Sequence, residues 1–162
     1  MQIRKIDQSE AKIFFDCMKS IDQETKFMMF EPGERQFDED LIVNNLSNEN
    51  DLFLGAFSEH EIVGFLSAKR GSFRRIRHSA YIVIGIRQTS QRQGIGSKLF
   101  DKLDEWARKN QLKRLELTVE VVNNPAINLY KKKGFSIEGT KRKTMLVDGE
   151  FVDEYMMAKL YI

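Results

Sequence analysis

The chain of 162 residues is 41% hydrophobic and 31% charged, which excludes a disordered chain and allows the core of one domain over residues 1–162. Lys and Arg number 26 against 24 Asp and Glu, and a net charge of +2 excludes a general attraction to nucleic acid or to an anionic membrane. Cys17 is the only cysteine, so no disulfide framework or thiolate metal cluster is expected, and the lack of a signal-peptide pattern or an apolar run of ~20 residues favours a cytoplasmic protein.

The amino-terminal elements begin with a short predicted strand at residues 1–6. A helix follows, because apolar residues recur at helical spacing on one face, at Ile13, Phe14, Cys17, Met18 and Ile21. Cys17 is therefore expected to be a core residue rather than a nucleophile. A weak helix at residues 41–46 precedes two strands, 51–58 and 61–68, which a short turn joins into an antiparallel hairpin.

Two stretches of this region have no regular pattern, and for each a structural and a functional interpretation are open. Residues 27–40 place large apolar side chains beside Glu31 and Glu34, and they form either a loop packed on the core or a lid that faces a substrate. Residues 69–78 carry basic side chains around one aromatic residue. A solvated connection between strands is favoured there over contact with RNA, because no RNA-binding signature is present.

The central feature of the sequence is the stretch of residues 82–103. A strand at residues 79–86 leads into a polar loop that contains Gly94-Ile95-Gly96, and an amphipathic helix begins at once. Glycines let the backbone approach a ligand closely, and the free N–H groups at a helix start attract an anion. The loop is therefore a candidate phosphate site. It matches neither a dinucleotide-binding fingerprint nor a P-loop.

The carboxy-terminal elements are predicted to be strands and one short helix. A strand at residues 112–122 ends before Pro125, which suits the first turn of a helix at residues 126–133. Two further strands, 135–141 and 151–161, are joined through an Asp-Gly pair, which is a strong hairpin signal. The whole pattern predicts a mixed α/β fold with much antiparallel pairing.

Two motifs in this part of the chain resemble a known family. Gln91-x-x-Gly94-x-Gly96 resembles the pyrophosphate loop of the GCN5-related N-acetyltransferase (GNAT) superfamily, and the segment from Asn123 to Phe135 resembles its N-x-x-A-x-x-L-Y-x-x-x-G-F signature. Residues 138–156 also look like small-molecule and ribosomal-protein members. The resemblance implies a mixed, mostly antiparallel central sheet with flanking helices and a splayed strand pair that holds acyl-CoA.

The resemblance implies acetyl-coenzyme A (acetyl-CoA) as the co-substrate and no metal. Backbone N–H groups of the loop would hold the coenzyme's pyrophosphate, and a Cβ on either glycine would keep the phosphates away. The loop positions are Gln91, Arg92, Gln93, Gly94, Ile95, Gly96 and Ser97. The matching positions for the pantetheine arm are the strand residues Ile84, Gly85 and Ile86, together with Asn123 at the end of the next strand. A backbone N–H near Ile86 would polarise the thioester carbonyl.

Tyr130 matches the tyrosine that lies beside the coenzyme sulfur in the family. The resemblance implies that it protonates the departing thiolate, and it would also contribute to coenzyme binding. A phenol with a pKa of ~10 is a reasonable donor to a thiolate whose thiol has a pKa of ~8.5. The alternative for Tyr130 is a core aromatic residue on the inner face of its helix.

The general base is not specified by the motifs, because the positions at which relatives place a glutamate hold Ala80 and Thr118 here. The candidates are Glu120, although strand alternation turns it away from the face of its neighbours, and Glu31 in the presumed lid. Further candidates are Glu34, Glu24 and His78.

The leading hypothesis is direct transfer of an acetyl group from acetyl-CoA to a primary amine of a small molecule or a protein. The alternative is a non-catalytic acyl-CoA-binding or regulatory module of the same fold. No nucleic acid and no membrane is expected as a partner, and a homodimer is a common state among such proteins.

Overall fold

The computed structural model describes all residues from Met1 to Ile162 and contains one seven-stranded sheet. The strand order is β1-β2-β3-β4-β5-β7-β6, and every neighbouring pair is antiparallel except β4 and β5. The mixed, mostly antiparallel sheet is therefore confirmed. The strands are β1 (Gln2–Lys5), β2 (Leu52–Ser58), β3 (Glu61–Arg70), β4 (Ser79–Ile86), β5 (Arg114–Glu120), β6 (Ser136–Val147) and β7 (Glu150–Leu160).

Four α-helices flank the sheet, and none is long and apolar enough to cross a membrane. They are α1 (Ala11–Glu24), α2 (Glu39–Ser47), α3 (Ile95–Lys109) and α4 (Asn124–Lys132). The Asp7 carboxylate caps a 3-10 turn that leads into α1, and the Asp38 carboxylate accepts from the Leu41 N–H at 3.1 Å at the start of α2. Local capping thus sets where these helices begin.

The final hairpin differs most from its prediction, because β6 extends to Val147 instead of ending at residue 141. Its pairing with β7 changes register between Ile137 and Gly139 and again between Lys141 and Met145. These irregularities interrupt the period-2 alternation from which a strand is recognised in a sequence.

The two faces of the sheet are covered by different helices. Helices α3 and α4 pack on one face around a cluster that includes Leu66, Leu115 and Met157, each fully buried. Helices α1 and α2 pack on the other face, where the cluster contains Cys17. Burial raises the pKa of the Cys17 thiol to about 12, so the residue is an unreactive core side chain, as its position on the apolar stripe predicted.

The parallel pair of β4 and β5 separates soon after it begins. Pairing is confined to Ser79–Tyr81 of β4 opposite Arg114–Glu116 of β5. Beyond it, β4 continues to pair with β3 as far as Ile86, and β5 continues to pair with β7. The Tyr81 hydroxyl and the Thr118 hydroxyl lie 2.7 Å apart and bridge the strands where they separate. The splayed strand pair implied by the motifs is therefore confirmed.

The segment between α1 and α2, residues 25–38, is anchored on α1. Arg35 forms two hydrogen bonds to the Asp22 carboxylate, Nε to Oδ2 at 2.8 Å and Nη2 to Oδ1 at 3.1 Å. The Asp22 side chain is only 1% exposed, and the Arg35 guanidinium also lies over the Phe30 ring. The Phe37 ring packs on Phe15. The segment is thus packed on the core, and it also forms one wall of a cavity described below.

Substitution of Arg35 by Met is expected to destabilise the fold by about 3 kcal/mol, because it leaves the buried Asp22 carboxylate without its partner. Urea unfolding would measure the loss, and limited proteolysis would show earlier cleavage within residues 25–38. Lys12→Met is the matched control, since the Lys12–Asp16 pair is 63% and 53% exposed and its removal should cost less than about 1 kcal/mol. Equal losses for the two variants would contradict the anchoring role of Arg35.

Candidate active site

The loop after β4 presents a row of unused backbone donors. None of the N–H groups of residues 92–97 donates to a backbone carbonyl. The first backbone hydrogen bond of α3 joins the Lys98 N–H to the Gly94 carbonyl at 3.1 Å. Arg92 and Gly94 have left-handed backbone angles, with φ of 63° and 77°. Such a turn points successive N–H groups into one concavity, and the helix dipole adds to their positive potential. The loop can therefore hold an anion such as a pyrophosphate.

The two glycines of this loop have different roles. Gly94 needs its left-handed φ, and a Cβ on it would meet no atom within 4 Å, so it faces open space in front of the helix. A Cβ on Gly96 would instead lie 2.9 Å from the Leu129 side chain of α4. The prediction that both glycines keep a path clear for phosphates is therefore wrong for Gly96, because that residue is buried where the two helices pack.

The glutamine side chains of the loop act within the loop itself. Gln91 Nε2 donates to the Ile86 carbonyl at 3.4 Å, and Gln93 Nε2 donates to the Thr89 carbonyl at 3.5 Å. Both bonds tie the loop back to the strand end that precedes it. The backbone, rather than these side chains, is thus left to contact an anion, with the exposed Arg92 as the nearby cation.

The β4 edge leads from this loop into the splayed pair. Ile84, Gly85 and Ile86 pair with β3 on one side, and no strand pairs with them on the side of β5. A Cβ on Gly85 would lie 2.9 Å from Phe65 and 3.2 Å from Ile21, so α1 can pack here only on a glycine. An unpaired strand edge is a natural partner for a ligand that contains amide groups.

A cavity of about 820 Å³ lies on the α1 and α2 face of the sheet and reaches through the opening between β4 and β5. One wall of the cavity is mainly apolar and aromatic, and it is formed by α1, residues 27–30, β2 and β3. Tyr81 and Thr118 line it at the separation point. The ionisable residues at its carboxy-terminal wall are Glu120 of β5, Lys141 of β6 and Glu154 of β7.

Glu120, the last residue of β5, is 5% exposed and lines this cavity. Its Oε2 atom is buried and has no hydrogen-bond partner. Burial raises the pKa of the Glu120 carboxyl group, and the negative charge of Glu154 raises it further. As predicted, strand alternation turns the Glu120 side chain to the face of β5 that lies away from the Val119 side chain. That face is the one on the side of the cavity.

Tyr130 enters the cavity from α4, on the other side of the sheet. Its ring packs edge-on against Phe100 at a centroid distance of 5.6 Å and lies beside Phe135, so it is part of the core. The same residue lines the cavity, and burial raises the pKa of its hydroxyl group above the usual range. The phenol therefore remains protonated well into alkaline solution. Tyr130 is thus a core aromatic residue that also reaches the cavity, and its role as the acid stays a prediction.

Asn123 also lines the cavity, at the turn between β5 and α4. Its N–H donates to the Glu120 carbonyl at 2.9 Å, and its carbonyl accepts from the Ile127 N–H at 3.0 Å. The backbone of Asn123 thus forms the turn, while the residue remains at the cavity wall.

The other predicted bases lie elsewhere. Glu31 and Glu34 are exposed and do not line the cavity, and Glu34 accepts from the Glu31 N–H at 3.1 Å. Glu24 receives hydrogen bonds from Arg87 Nε and from the Gln88 N–H, and it holds the start of the loop. His78 is exposed at the far end of β4. The cavity therefore brings together Glu120, Tyr130 and Asn123 but not Glu31.

Fold and site together define the class of protein. A coenzyme A thioester needs an anion cradle for its pyrophosphate and an unpaired strand edge for its amide-bearing arm, and this chain provides the two in sequence along β4 and its loop. Ionisable side chains stand where that edge meets the cavity. The class is that of the coenzyme A-dependent acyltransferases.

Comparisons with known proteins define the family. The sequence model of the acetyltransferase (GNAT) family matches residues 15–135. The L-amino acid N-acetyltransferase AaaT of Escherichia coli K12 is 39% identical over 111 residues, which are 66% of this chain and 67% of that protein. A streptothricin acetyltransferase of Escherichia coli is 30% identical over 100 residues, which are 62% of this chain and 56% of that protein.

Solved structures agree with the sequence comparisons. An acetyltransferase of the GNAT family from Streptococcus pneumoniae superposes with a TM-score of 0.93 at 28% identity, over 99% of both chains. The yncA protein of Salmonella typhimurium, solved with acetyl-CoA, has the same fold, with a TM-score of 0.86 at 19% identity over 99% of this chain and 93% of that one. The chain belongs to the acetyltransferase (GNAT) family, and it is an N-acetyltransferase that uses acetyl-CoA.

Substitution of Glu120 by Gln is expected to stabilise the fold at pH 8. The pKa of the Glu120 carboxyl group is raised in the folded state, so its ionised form opposes folding at pH values above that pKa. The effect disappears at pH values low enough to protonate the carboxyl group in both the folded and the unfolded state. Thermal unfolding at pH 8 and pH 4 would show a gain in Tm only at pH 8. Glu138→Gln is the control of opposite sign, because Arg114 lowers the pKa of Glu138. A loss of stability in the Glu120 variant at pH 8 would contradict the raised pKa.

Proposed function

We propose that the acceptor is the primary amine of a small molecule with an apolar body, and specifically of a hydrophobic L-amino acid. The single observation behind this proposal is the buried Glu120 carboxylate, which lacks a partner in a cavity whose other walls are largely aromatic and aliphatic. An acceptor ammonium group supplies the missing positive charge, and an apolar side chain fits the remaining walls. The name of the Escherichia coli relative, L-amino acid N-acetyltransferase, is consistent with this acceptor.

Lys69 provides a contact for an amino-acid carboxylate. It pairs in register with Tyr81, which bridges the separating strands, and it lines the cavity from β3. The other basic residue on this wall, Arg35, is already bonded to Asp22. An acceptor whose amine lies near Glu120 and whose carboxylate lies near Lys69 would use both charges. The cavity would therefore disfavour acceptors without a carboxylate.

In the proposed reaction, Glu120 accepts a proton from the acceptor ammonium group, which leaves a nucleophilic amine. Acetyl-CoA supplies the thioester whose acetyl group is transferred. Tyr130 donates its phenolic proton to the sulfur that leaves. After attack the amine nitrogen loses a second proton to solvent, and Tyr130 takes up a proton from solvent in turn. The balance is one amide, one free thiol and one proton released. An N–H near Ile86 on the unpaired β4 edge would stabilise negative charge on the carbonyl oxygen.

The coenzyme is proposed to lie along β4 and its loop. The backbone donors of residues 92–97 hold the pyrophosphate, and Arg92 adds a nearby charge. Ile84, Gly85 and Ile86 offer backbone groups to the pantetheine arm, and Asn123 faces the same arm from the opposite side of the opening. Gln91 and Gln93 contribute indirectly, because their side chains hold the loop in shape.

The acceptor proposal is tested by incubating the protein with acetyl-CoA and a panel of amines while thiol release is followed. Hydrophobic L-amino acids should react faster than their decarboxylated amines and faster than the polyamine spermidine. Lys69→Met should remove the preference for the amino acid over its decarboxylated amine. Equal rates for the two amine types with the wild-type protein would contradict the carboxylate contact. Acetyl-CoA binding without turnover on any amine would support the non-catalytic alternative.

Substitution of Tyr130 by Phe is expected to lower kcat by about a hundredfold or more, because it removes the proton donor and retains the aromatic packing. The dissociation constant of acetyl-CoA, measured by calorimetry, should change little. The ring contacts with Phe100 and Phe135 remain in this variant, so a normal Tm would exclude a folding defect. Unchanged turnover under conditions in which chemistry limits the rate would rule out Tyr130 as the acid.

A further inference from the structure

Glu154 is a second carboxylate of the cavity, and it lies within the stretch of residues 138–156. It lies on β7 directly opposite Glu120 of β5, in the antiparallel register that joins these strands. Directly opposed residues of antiparallel strands have Cα atoms about 4.5–5.5 Å apart. Like charges in this arrangement are unfavourable unless a cation lies between them.

The remaining carboxylates of this region are already used within the protein. Asp153, next to Glu154, accepts from the Lys143 N–H at 2.8 Å. Glu116, on the same face of β5 as Glu120, is bonded to Arg114 at 2.7 Å. Glu120 and Glu154 differ from both, since neither side chain forms an ion pair or accepts a hydrogen bond, and the buried Oε2 of Glu120 lines the cavity without any partner.

Other charged or titratable groups also face this cavity, from each element packed around it. They are Arg35 and Asp38 from the segment before α2, Lys69 from β3, Tyr81 from β4, Tyr130 from α4 and Lys141 from β6. Lys141 is the cross-strand neighbour of Glu154 on β6, yet the two form no salt bridge. Of all these groups, only Glu154 contributes to the raised pKa of Glu120.

We propose that Glu154 and Glu120 form one ammonium-binding pair, in which Glu154 holds the acceptor's positive charge and positions it while Glu120 takes the proton. This inference rests on the proposed function, because the ammonium group is that of the acceptor. The two carboxylates then have separate tasks. Glu120 lies at the end of the splayed strand, nearest the turn that leads to Tyr130, whereas Glu154 lies one strand further from the opening.

The pair would select acceptors in a defined way. A carboxylate pair binds the protonated amine and discriminates against neutral nucleophiles such as alcohols, because these leave the two negative charges uncompensated in a mostly apolar cavity. The bound ammonium also favours the ionised form of Glu120, which prepares that residue as the base. Glu154 thus couples acceptor binding to proton transfer.

The test is Glu154→Gln, which keeps the shape of the side chain and removes its charge. The KM for the amine is expected to rise by about tenfold or more, with a much smaller change in kcat and no change in the dissociation constant of acetyl-CoA. The acidic limb of kcat/KM should move to lower pH, because Glu120 loses the neighbouring charge that raises its pKa. Glu154→Asp should restore part of the amine affinity.

Glu150→Gln is the matched control, since Glu150 lies on the same strand, is exposed, does not line the cavity and undergoes the same change of charge. It should leave the amine KM and the pH profile unchanged. If Glu154→Gln behaves like Glu150→Gln while the wild-type protein is active, the pair is overturned.

Calorimetric titration of the amine into the coenzyme A complex separates failure of this inference from failure of the proposed function. Amine binding that Glu154→Gln weakens by about tenfold supports the pair even if no thiol is released by the wild-type protein. Amine binding that is equal in the wild type and in Glu154→Gln overturns the pair whether or not the wild type turns over.

Discussion

The short parallel contact between β4 and β5 is the constraint on which the rest of the structure depends. Only Ser79–Tyr81 and Arg114–Glu116 pair, and beyond them each strand pairs only with its other neighbour, β3 or β7. The opening between them is therefore a gap inside a continuous sheet and not an end of the sheet. It exposes one strand edge to a ligand and connects the two faces of the sheet, so that Tyr130 of α4 and Glu120 can line the same cavity.

The elements around this opening are positioned by contacts that serve packing and site geometry at once. Asp22 and Arg35 hold the segment before α2 against α1, and that segment closes the cavity opposite the sheet. Gly85 lets α1 pack closely on β4, and Gly96 lets α4 pack closely on α3. The loop connects β4 to α3. Tyr130 is held by Phe100 and Phe135, which orient its ring through core packing. Such dual use explains how a small fold holds the side chains of the cavity in fixed positions.

The carboxylates of the cavity illustrate the cost of that arrangement. A buried carboxylate without a partner opposes folding, and a second one on the neighbouring strand increases the effect. Elsewhere the chain pairs its partly buried charges, as Arg114 does with Glu116 and Glu138. The unpaired buried carboxylate of Glu120 is therefore a candidate functional group, because perturbed and uncompensated groups in a cavity are typical of functional sites.

The sequence by itself determined most of the secondary structure and the family that its motifs resemble. Periodicity located the seven strands and the four α-helices. The loop pattern of Gln91, Gly94 and Gly96 indicated an anion site, because loops at helix starts are local structures that a short motif specifies. The donor was implied only by the resemblance of this loop and of the segment from Asn123 to Phe135 to a known family. The tertiary structure alone decided which carboxylates line the cavity. Glu120 and Glu154 are 34 positions apart in the chain and meet only through the β5–β7 register, which no local pattern encodes. Glu31 was also a candidate base in the sequence, yet the packing of its segment leaves it in solvent, because the direction of a loop side chain is set by distant contacts.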